Sequence, residues 1–355
     1  MPRESAAYKV CACASLTQDM AKPTVLVLGA TGETGKAILD AFLVDGGFDV
    51  EALVRPSSAK KPQVQALGVP IRAASLDAPI PTLVEVLSGV DILISAIDGM
   101  HTLQQIPLAT AAKTAGVKRF IPSAFITVAP VSSPVDGTIM RMRDIKEQVY
   151  THIRSIYLPY TVIDVGYWYQ LYIPAIPSGR AEYAAMIRNR TQIHVGGAAR
   201  NALVDLRDIA STVVRIVKDD RTINKSVHVY GDVLSENETF AMMEELSGEK
   251  IDRRHISAEH IATTRAKFAA AIASNPDDLH TQQMSYGPDY HFSMHVRSDN
   301  TPENAAYLGY LDAGTLYPEW KPITFRDYLR EVLDGKATKP YGEWALTIGK
   351  NLDEY

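Results

Sequence analysis

The sequence predicts an α/β protein in which a parallel, doubly wound sheet is covered by a smaller lobe of mixed helices and strands. Three observations predict it. A β-branched and leucine run at residues 24–28 leads directly into a glycine-rich turn and a helix. Apolar strands and amphipathic helices then alternate as far as residue 165, which is typical of a parallel sheet. The length of 355 residues also exceeds that of one average domain.

The composition is that of an ordinary globular protein. The chain is 46% hydrophobic and 22% charged, with 22 Gly and 20 Pro, which excludes collagen-like and low-complexity chains. A formal net charge of −5 argues against binding nucleic acid or an anionic membrane over the whole surface. The two cysteines, Cys11 and Cys13, can build neither a disulfide framework nor a four-ligand zinc site.

Residues 1–22 are predicted to be a disordered extension. Their short apolar patch is interrupted by polar residues, whereas a secretory signal has an apolar run of roughly 7–15 residues. No stretch approaches the roughly 20 apolar residues that a membrane helix requires. We therefore expect a cytoplasmic protein with no membrane partner and no nucleic-acid partner. The oligomeric state stays open, and a homodimer is one alternative.

The first strand, turn and helix have the order of a dinucleotide-binding unit. The turn GATGETG at 29–35 follows the strand at 24–28, and a second strand is predicted at 50–54. The first glycine allows the tight turn, the second lets the backbone approach a pyrophosphate, and the third lets helix and strand pack closely. The helix N-terminus offers N–H groups to the phosphates. Predicted contacts to the cofactor in this turn come from Gly29, Thr31, Gly32, Glu33, Thr34 and Gly35.

The end of the second strand selects the nucleotide. An acidic residue there bonds the ribose 2′-hydroxyl of NAD, whereas an arginine accommodates the 2′-phosphate of NADP. Arg55 stands at this point, with Lys60 and Lys61 shortly after it and no acid before Asp77. A solvated basic loop is the alternative interpretation, but this order of charges favours NADPH.

Strands and helices continue to alternate after this unit. Strands are predicted at 91–97, 119–125 and 160–165, and helices at 102–115 and 139–156. Ligands of doubly wound sheets lie beyond the C-terminal ends of the strands. Further cofactor contacts are therefore predicted for Ala96, Ile97, Ser123, Ala124 and Phe125, and substrate contacts for Phe125 and Ile126.

The helix at 139–156 carries a lysine on its apolar side. At about 100° per residue, Lys146 falls within the arc that holds Met142, Ile145 and Val149. One interpretation is that its alkyl stem covers apolar surface while the ammonium reaches water. The other is that the ammonium projects into the ligand cleft, where burial lowers its pKa and suits it to acid–base chemistry.

Seven segments together carry a resemblance to a known family. They are GATGETG (29–35), LVRP (53–56), AGVKRFIPSAF (115–125), LPYTVIDVGYWYQ (158–170), LVDLRDIASTVV (203–214), LSENETFAMMEELSGEKI (234–251) and YPEWKPITFRDYL (317–329). The set resembles the isoflavone reductase-like group of NmrA-like, atypical short-chain dehydrogenases/reductases. The resemblance spans about residues 24–330.

This resemblance implies that NADPH delivers hydride to an aromatic substrate and that a helix lysine acts as general base or proton donor. Lys146 corresponds to that lysine, because it lies thirteen residues before Pro159, and it is predicted to contact the cofactor as well. Ser123, which stands in the segment matching the family's Pro-Ser-Glu-Phe-Gly, is predicted to act with it by positioning the substrate.

The chain departs from the family's pattern in two places. Ala124 and Ile126 replace the usual glutamate and glycine of Pro-Ser-Glu-Phe-Gly. Met142 stands four residues before Lys146, where ordinary short-chain dehydrogenases carry a tyrosine. Because that acid is missing, reduction of a polarised C=C bond or another activated electrophile is favoured over simple ketone reduction.

Aromatic side chains follow the strand at 160–165. They are Tyr167, Trp168, Tyr169 and Tyr172. Clusters of this kind are often part of a core, but their position at the ligand edge predicts that they line a flat substrate.

Three histidines follow near the end of the chain. His280, His291 and His295 contain one i,i+4 pair and no nearby cysteine, and the segment between them includes Gly287 and Pro288 and need not be helical. We therefore expect no metal site. Since this segment is expected to cover the cleft, His291 and His295 are candidate proton donors to the substrate.

The predicted organisation has a Rossmann-type NADP-binding domain and a substrate-binding lobe. The domain takes residues 23–165, with residues 203–232 returning to it, and the mixed α/β, substrate-covering lobe takes 166–202 and 233–355. The leading hypothesis is an NADPH-dependent reductase of an aromatic or conjugated small molecule, of isoflavone, enone or quinone type, in secondary metabolism. The alternatives are a non-catalytic NADP(H)-binding redox sensor and a lyase or dehydratase that reuses the fold.

Overall fold

The computed structural model describes residues 21–135 and 137–340. Almost all of the predicted extension at 1–22, including Cys11 and Cys13, lies outside the described residues. The strands are β1 (Thr24–Leu28), β2 (Asp49–Val54), β3 (Ile71–Ala73), β4 (Ile92–Ser95), β5 (Arg119–Ile121), β6 (Thr161–Val165), β7 (Tyr167–Trp168), β8 (Gln192–His194), β9 (Arg200–Val204), β10 (Lys225–Val229), β11 (Asp232–Ser235), β12 (Arg254–Ile256) and β13 (Leu311–Asp312).

The helices of the described residues alternate with these strands as far as β6. They are α1 (Glu33–Asp45), α2 (Pro62–Gln65), α3 (Ile80–Val86), α4 (Gln105–Ala115), α5 (Arg141–Ser155), α6 (Tyr169–Tyr172), α7 (Leu206–Val217), α8 (Glu236–Ser247), α9 (Ala258–Ser274), α10 (Leu279–His291), α11 (Pro302–Tyr307), α12 (Ala313–Leu316) and α13 (Phe325–Leu333). A π-helical turn at Phe292–Arg297 directly extends α10.

The central sheet is parallel and reverses its strand order after β1. Its strands run β3-β2-β1-β4-β5, and β6, β10 and β13 continue it. The Phe120 N–H donates to the Pro159 carbonyl at 2.8 Å, and a parallel bridge joins Phe120 to Tyr160 at the junction of β5 and β6. This is the strand order of a Rossmann fold, so the predicted fold class is confirmed.

Alternate residues of β1 face opposite sides of the sheet. Val25 and Val27 belong to a core with residues of α1 and α7, and Leu26 and Leu28 belong to a second core with residues of α3, α4 and α5. Successive side chains of a strand point to opposite faces, so helices on both faces require a strand that is apolar throughout. This explains the uninterrupted apolar run that the sequence shows.

The lobe is built from short strands and from helices near the end of the chain. Its strands pair in the orders β11-β9-β7 and β12-β8, and β9 runs across the boundary predicted at residue 203. Its core contains Tyr169, Phe240 and Phe325. Strand β13 lies inside the range predicted for the lobe but pairs in parallel with β10. Leu311–Asp312 therefore extends the main sheet.

Three local predictions also need adjustment. The predicted helix at 102–115 begins as a 3-10 helix at Gly99–Gln104, and the strand predicted at 119–125 ends at Ile121. The segment with Gly287 and Pro288, for which the sequence did not require a helix, is helical in α10. In the part of the chain that the structure describes, no helix is both long enough and apolar enough to cross a membrane.

Candidate active site

The glycine turn after β1 leaves no room for side chains at its first and last positions. Gly29 has φ +84°, and a Cβ there would lie 2.5 Å from the Ala96 carbonyl oxygen. A Cβ at Gly35 would lie 2.2 Å from the Gly29 carbonyl oxygen. At Gly32 the nearest atom would be 3.4 Å away, which is ordinary contact. The protein's own atoms therefore do not require Gly32, whereas close approach of a ligand would.

The N-terminus of α1 is open to an anion. Gly32 is its N-cap, and no side chain caps this end of the helix. The first N–H groups of a helix lack intrahelical partners, and they attract phosphate oxygens. The predicted contacts at Thr31, Glu33 and Thr34 lie in this turn and first helical positions.

The basic residues predicted to select NADP lie at the same edge of the sheet. Arg55 directly follows β2, and β2 pairs in parallel with β1. The side chains of Arg55, Lys60 and Lys61 are exposed. Because the carboxyl ends of parallel strands meet at one edge, this exposed positive charge lies on the side of the sheet where the glycine turn lies.

Lys146 is buried, which excludes the interpretation that its ammonium reaches water. Only 3% of the residue is exposed. Its Nζ donates to the Ser123 carbonyl oxygen at 2.5 Å. Ser123 lies beyond the end of β5, so α5 directs the ammonium toward the C-terminal edge of the sheet.

Ser123 is held by each of its polar groups. Its hydroxyl donates to the Ile97 carbonyl at 2.7 Å, and its N–H donates to Gln105 Oε1 at 2.7 Å. Together with the bond from Lys146, these contacts tie the ends of β4 and β5 to α5. In this structure Ser123 therefore positions the lysine, while its predicted action on a substrate stays a prediction.

Burial lowers the pKa of Lys146 to about 8. Asp164 opposes this shift by attracting the ammonium, whereas the positive charge of Arg143 adds to it, and Asp98 opposes it weakly. Removing a charged amine from water disfavours its protonated form. Arg141, at the start of the same helix, pairs with Asp289 instead.

A buried ion pair lies beside the lysine. Arg143 Nη2 donates to Asp164 Oδ2 at 2.7 Å, and the Tyr310 hydroxyl donates to the same oxygen at 2.5 Å. Arg143 Nη2 also donates to the Thr127 carbonyl at 3.0 Å. Sequence reasoning missed Asp164, although a single acid in the otherwise apolar strand Thr161–Val165 is a usable signal.

The segment after β5 packs tightly along β6. Phe125 has φ +47°, a left-handed conformation that is uncommon for residues other than glycine. Its N–H donates to the Ile163 carbonyl at 2.9 Å, and the Ile126 carbonyl accepts from the Val165 N–H at 2.9 Å. Ala124 and Phe125 are buried and Ile126 is half-buried, so Ile126 is the more accessible of the two predicted substrate contacts.

The lobe docks on the start of the lysine helix. The Asp289 carboxylate accepts from Arg141 Nη1 at 2.7 and 2.9 Å and from Arg265 Nε at 2.9 Å. Tyr286 lies on α10, as Asp289 does, and its hydroxyl is 3.8 Å from the sulfur of Met100. Tyr286 also packs in a small cluster with Met142, which occupies the position where ordinary short-chain dehydrogenases carry a tyrosine. Tyr286 was not identified from the sequence.

The predicted aromatic wall divides into two parts. Tyr167 and Trp168 are half-buried, and the Tyr167 ring lies 5.8 Å from the rings of both Tyr172 and Tyr290. Tyr169 is fully buried, and its ring lies 5.0 Å from that of Phe325 in the core of the lobe. Tyr167 and Trp168 therefore stay candidates for substrate contact, whereas Tyr169 stabilises the lobe.

The two predicted histidines lie together inside the lobe. Their rings stack near that of His194, with centroids 4.1 Å away for His291 and 4.8 Å away for His295. His194 was missed from the sequence, because it lies at the end of β8 and far from the other two along the chain.

The glycine turn, the lysine and the strand order agree with one family of proteins. A model of the NmrA-like family matches residues 21–288. The chain belongs to the NmrA-like family. It is 38% identical over 317 residues to an asnovolin J 5′,6′-dehydrogenase from Aspergillus novofumigatus, covering 88% of this chain and 95% of the relative. It is 30% identical over 325 residues to an isoflavone reductase homolog from Arabidopsis thaliana, covering 87% and 97%.

Solved structures of isoflavone reductase-like proteins share this fold. A complex of leucoanthocyanidin reductase with NADPH from Vitis vinifera superimposes with a TM-score of 0.71 at 22% identity, covering 88% of this chain and 99% of that one. An isoflavone reductase superimposes with a TM-score of 0.68 at 23% identity, with the same coverage. The resemblance stated from the sequence is thereby confirmed at the level of the family and the fold.

Proposed function

We propose that this NmrA-like protein reduces an aromatic or conjugated small molecule with hydride from NADPH, and that Lys146 supplies the accompanying proton. The chain is an NADPH-dependent oxidoreductase. The observation that carries the proposal is the buried ammonium of Lys146 at the C-terminal edge of the sheet, 2.5 Å from the Ser123 carbonyl. A group that donates a proton near neutral pH needs a pKa near the working pH, and the pKa of Lys146 is lowered to about 8.

The residues at this edge fit NADPH. The turn from Gly29 to Gly35 and the uncapped start of α1 would hold the pyrophosphate. Arg55 and Lys60 would hold the 2′-phosphate. When bound, NADPH supplies the hydride.

Lys146 supplies the matching proton. As the substrate accepts hydride at carbon, negative charge develops on the oxygen conjugated to that carbon. The ammonium proton passes to that oxygen and leaves a neutral amine. Because burial disfavours the charged amine, losing the proton relieves the cost of keeping Lys146 away from water. The bond from Nζ to Ser123 fixes where the proton is held.

The substrate class follows from what surrounds the lysine. Met142 takes the place of a tyrosine acid, and the half-buried rings of Tyr167 and Trp168 offer flat apolar surface. These features favour a conjugated C=C bond over an isolated ketone. The name of the relative that is 38% identical refers to dehydrogenation at adjacent positions, 5′ and 6′, which supports a carbon–carbon pair. It also makes the oxidative direction a second candidate, in which neutral Lys146 accepts a proton.

A consumption assay tests the proposal. The purified chain is incubated with NADPH and a panel of isoflavones, enones and quinones, and with NADP⁺ and the saturated products. We expect turnover with at least one pair and transfer of deuterium from labelled NADPH to a substrate carbon. NADPH binding without turnover in either direction would favour the redox sensor, and a product formed with no change in NADPH would favour the lyase or dehydratase.

A lysine variant tests the role of the ammonium. In Lys146→Ala we expect kcat to fall by about 100-fold or more while NADPH binding is retained. The exposed lysine of α4, Lys113, provides the matched control, since Lys113→Ala removes an ammonium far from the cleft. Wild-type turnover in Lys146→Ala would contradict the assigned role.

A further inference from the structure

Three imidazole rings meet inside the lobe. They come from the end of β8 (His194), the last residue of α10 (His291) and the π-helical turn that follows it (His295). One nitrogen from each ring lies within 4.8 Å of the others. His194 and His295 are buried and His291 is half-buried.

A carboxylate orients the first of these rings. Glu236, which is fully buried, accepts from His194 Nδ1 at 3.0 Å and from the His194 N–H at 2.6 Å. A proton on Nδ1 leaves the lone pair on Nε2. This carboxylate–histidine arrangement is the one that accompanies metal-bound histidines, where it fixes the tautomer and raises the basicity of the ligand.

A buried arginine neutralises the carboxylate beside the cluster. Arg190 Nη2 donates to Glu236 Oε1 at 2.8 Å, so the pair contributes no net charge. Burial then keeps the imidazoles neutral, because it lowers the pKa of His194 and of His295 to about 3 and that of His291 well below its usual range. Neutral imidazole is the form that binds a metal ion.

One ring nitrogen of the cluster has no partner. His295 is 5% exposed, and its Nδ1 has no hydrogen-bond partner within the described residues. Its Nε2 lies 3.7 Å from Glu236 Oε1. An unsatisfied buried polar atom is costly, and π-helical turns such as Phe292–Arg297 occur often at functional sites. The unpaired nitrogen therefore points to a ligand.

We propose that His194, His291 and His295 bind a divalent transition-metal ion of the zinc type and leave a fourth coordination position open. Three histidines with one open position form a known zinc ligand set, and imidazole also suits copper and nickel. Zn–N bonds are about 2.0–2.1 Å long, and the ring nitrogens now lie within 4.8 Å of one another. Binding therefore requires the rings to turn out of their stack, so that the three lone pairs converge on one ion. The proposal does not depend on the reductase function.

Metal binding to the full chain tests this site. The protein is prepared without a histidine tag, dialysed against a chelator and titrated with Zn²⁺ and with Co²⁺. The double variant Cys11→Ser, Cys13→Ser is used throughout, so that thiols cannot bind the metal. We expect one ion per chain by elemental analysis and the visible absorption of four-coordinate Co²⁺. Absence of stoichiometric binding would overturn the proposal.

Variants then locate the ion. His291→Phe keeps a stacked ring but removes both nitrogens, so it should weaken Zn²⁺ binding by about 100-fold or more. Loss of a residue that only hydrogen-bonds to a metal ligand typically costs about 10–100-fold in affinity, and loss of a ligand itself should cost at least as much. The exposed histidine of the same helix, His280, is the control, and His280→Ala should bind as wild type. Retained NADPH binding shows that each variant is folded. Wild-type affinity in His291→Phe, or its loss in His280→Ala, would also overturn the proposal.

Discussion

The main sheet and the lobe each contain a buried arginine–carboxylate pair. Beside the main sheet, Arg143 lies 2.7 Å from Asp164, and in the lobe Arg190 lies 2.8 Å from Glu236. Both carboxylates are fully buried. The difference is in what surrounds each pair, because Lys146 adds a second cation to the first pair whereas the second is surrounded by imidazoles.

This difference decides the chemistry of each region. Near the main sheet burial lowers the pKa of Lys146 to about 8, and the positive charge of Arg143 adds to this shift while Asp164 opposes it. In the lobe Arg190 neutralises Glu236, and burial lowers the pKa of His194 to about 3. The first region can therefore release a proton near neutral pH, and the second presents neutral lone pairs.

Removing one carboxylate should have the largest effect in either region. Asp164→Asn and Glu236→Gln each leave an arginine buried without its partner, which costs about 3–5 kcal/mol. Urea unfolding at pH 7 measures the loss. The double variant Arg143→Met, Asp164→Leu should recover most of it, since apolar residues of similar size often replace a buried pair at little cost. A loss below about 1 kcal/mol for Asp164→Asn would show that the pair is not buried as described.

Removing the lysine should stabilise the protein. The folded pKa of Lys146 is about 8 against 10.5 when unperturbed. Between these two pH values Lys146 is protonated in the unfolded chain but not in the folded one, so the free energy of unfolding rises as the pH increases from about 8 to 10.5. Below pH 8 the lysine is charged in both states, and the fold bears the whole cost of burying that charge. Lys146→Met should therefore increase the free energy of unfolding at pH 7 by up to about 3 kcal/mol, reduced by the loss of the hydrogen bond to Ser123. The variant should also lack the rise in stability between pH 8 and 10.5. Lys113→Met is the control. Destabilisation of the protein by Lys146→Met at pH 7 would contradict the expectation.

The lobe should respond to acid instead. The pKa of His295 falls from 6.5 to about 3 on folding. The unfolded chain therefore takes up a proton that the folded chain does not, and stability decreases as the pH falls through this window. His295→Phe should reduce the slope of unfolding free energy against pH by about 1.4 kcal/mol per unit. Unfolding between pH 4 and 6.5 measures it, and an unchanged slope would show that His295 is protonated in the fold.

The smallest effect is expected for the tyrosine on the first pair. Tyr310→Phe removes the hydroxyl that donates to Asp164 at 2.5 Å but leaves both charges in place. Because Tyr310 is half-buried, the loss should be about 1 kcal/mol, measured by urea unfolding. A loss as large as that of Asp164→Asn would mean that the tyrosine, rather than the arginine, is the main partner of the carboxylate.

The lysine region could be predicted from the sequence because its signals are local. The glycine turn after β1 and the position of Lys146 in the apolar arc of α5 each occupy a few residues with a defined period. Alternation along the chain predicted the parallel sheet for the same reason. Asp164 was missed even though it lies in β6, because the sequence does not show that this single acid of a buried strand pairs with an arginine of α5.

The histidine cluster could not be predicted, because its members meet only through tertiary structure. His194 enters from β8, and no local spacing relates it to His291. Pro288 and Gly287 also weakened the helical pattern of α10 in the sequence. In the fold, the ion pair of Asp289 with Arg141 stabilises this helix. Pairing of β13 with the main sheet was missed similarly, because two residues carry no periodicity.

The pH dependence of hydride transfer tests the role of Lys146 most directly. Single-turnover reduction by the NADPH-loaded chain is measured from pH 6 to 10 with a substrate found in the panel. If the ammonium donates the proton, the rate should fall tenfold per pH unit above about 8, where Lys146 loses it, and Lys146→Met should be slow with no such decline. A wild-type rate that stays constant to pH 10, or the same decline in Lys146→Met, would contradict the assignment.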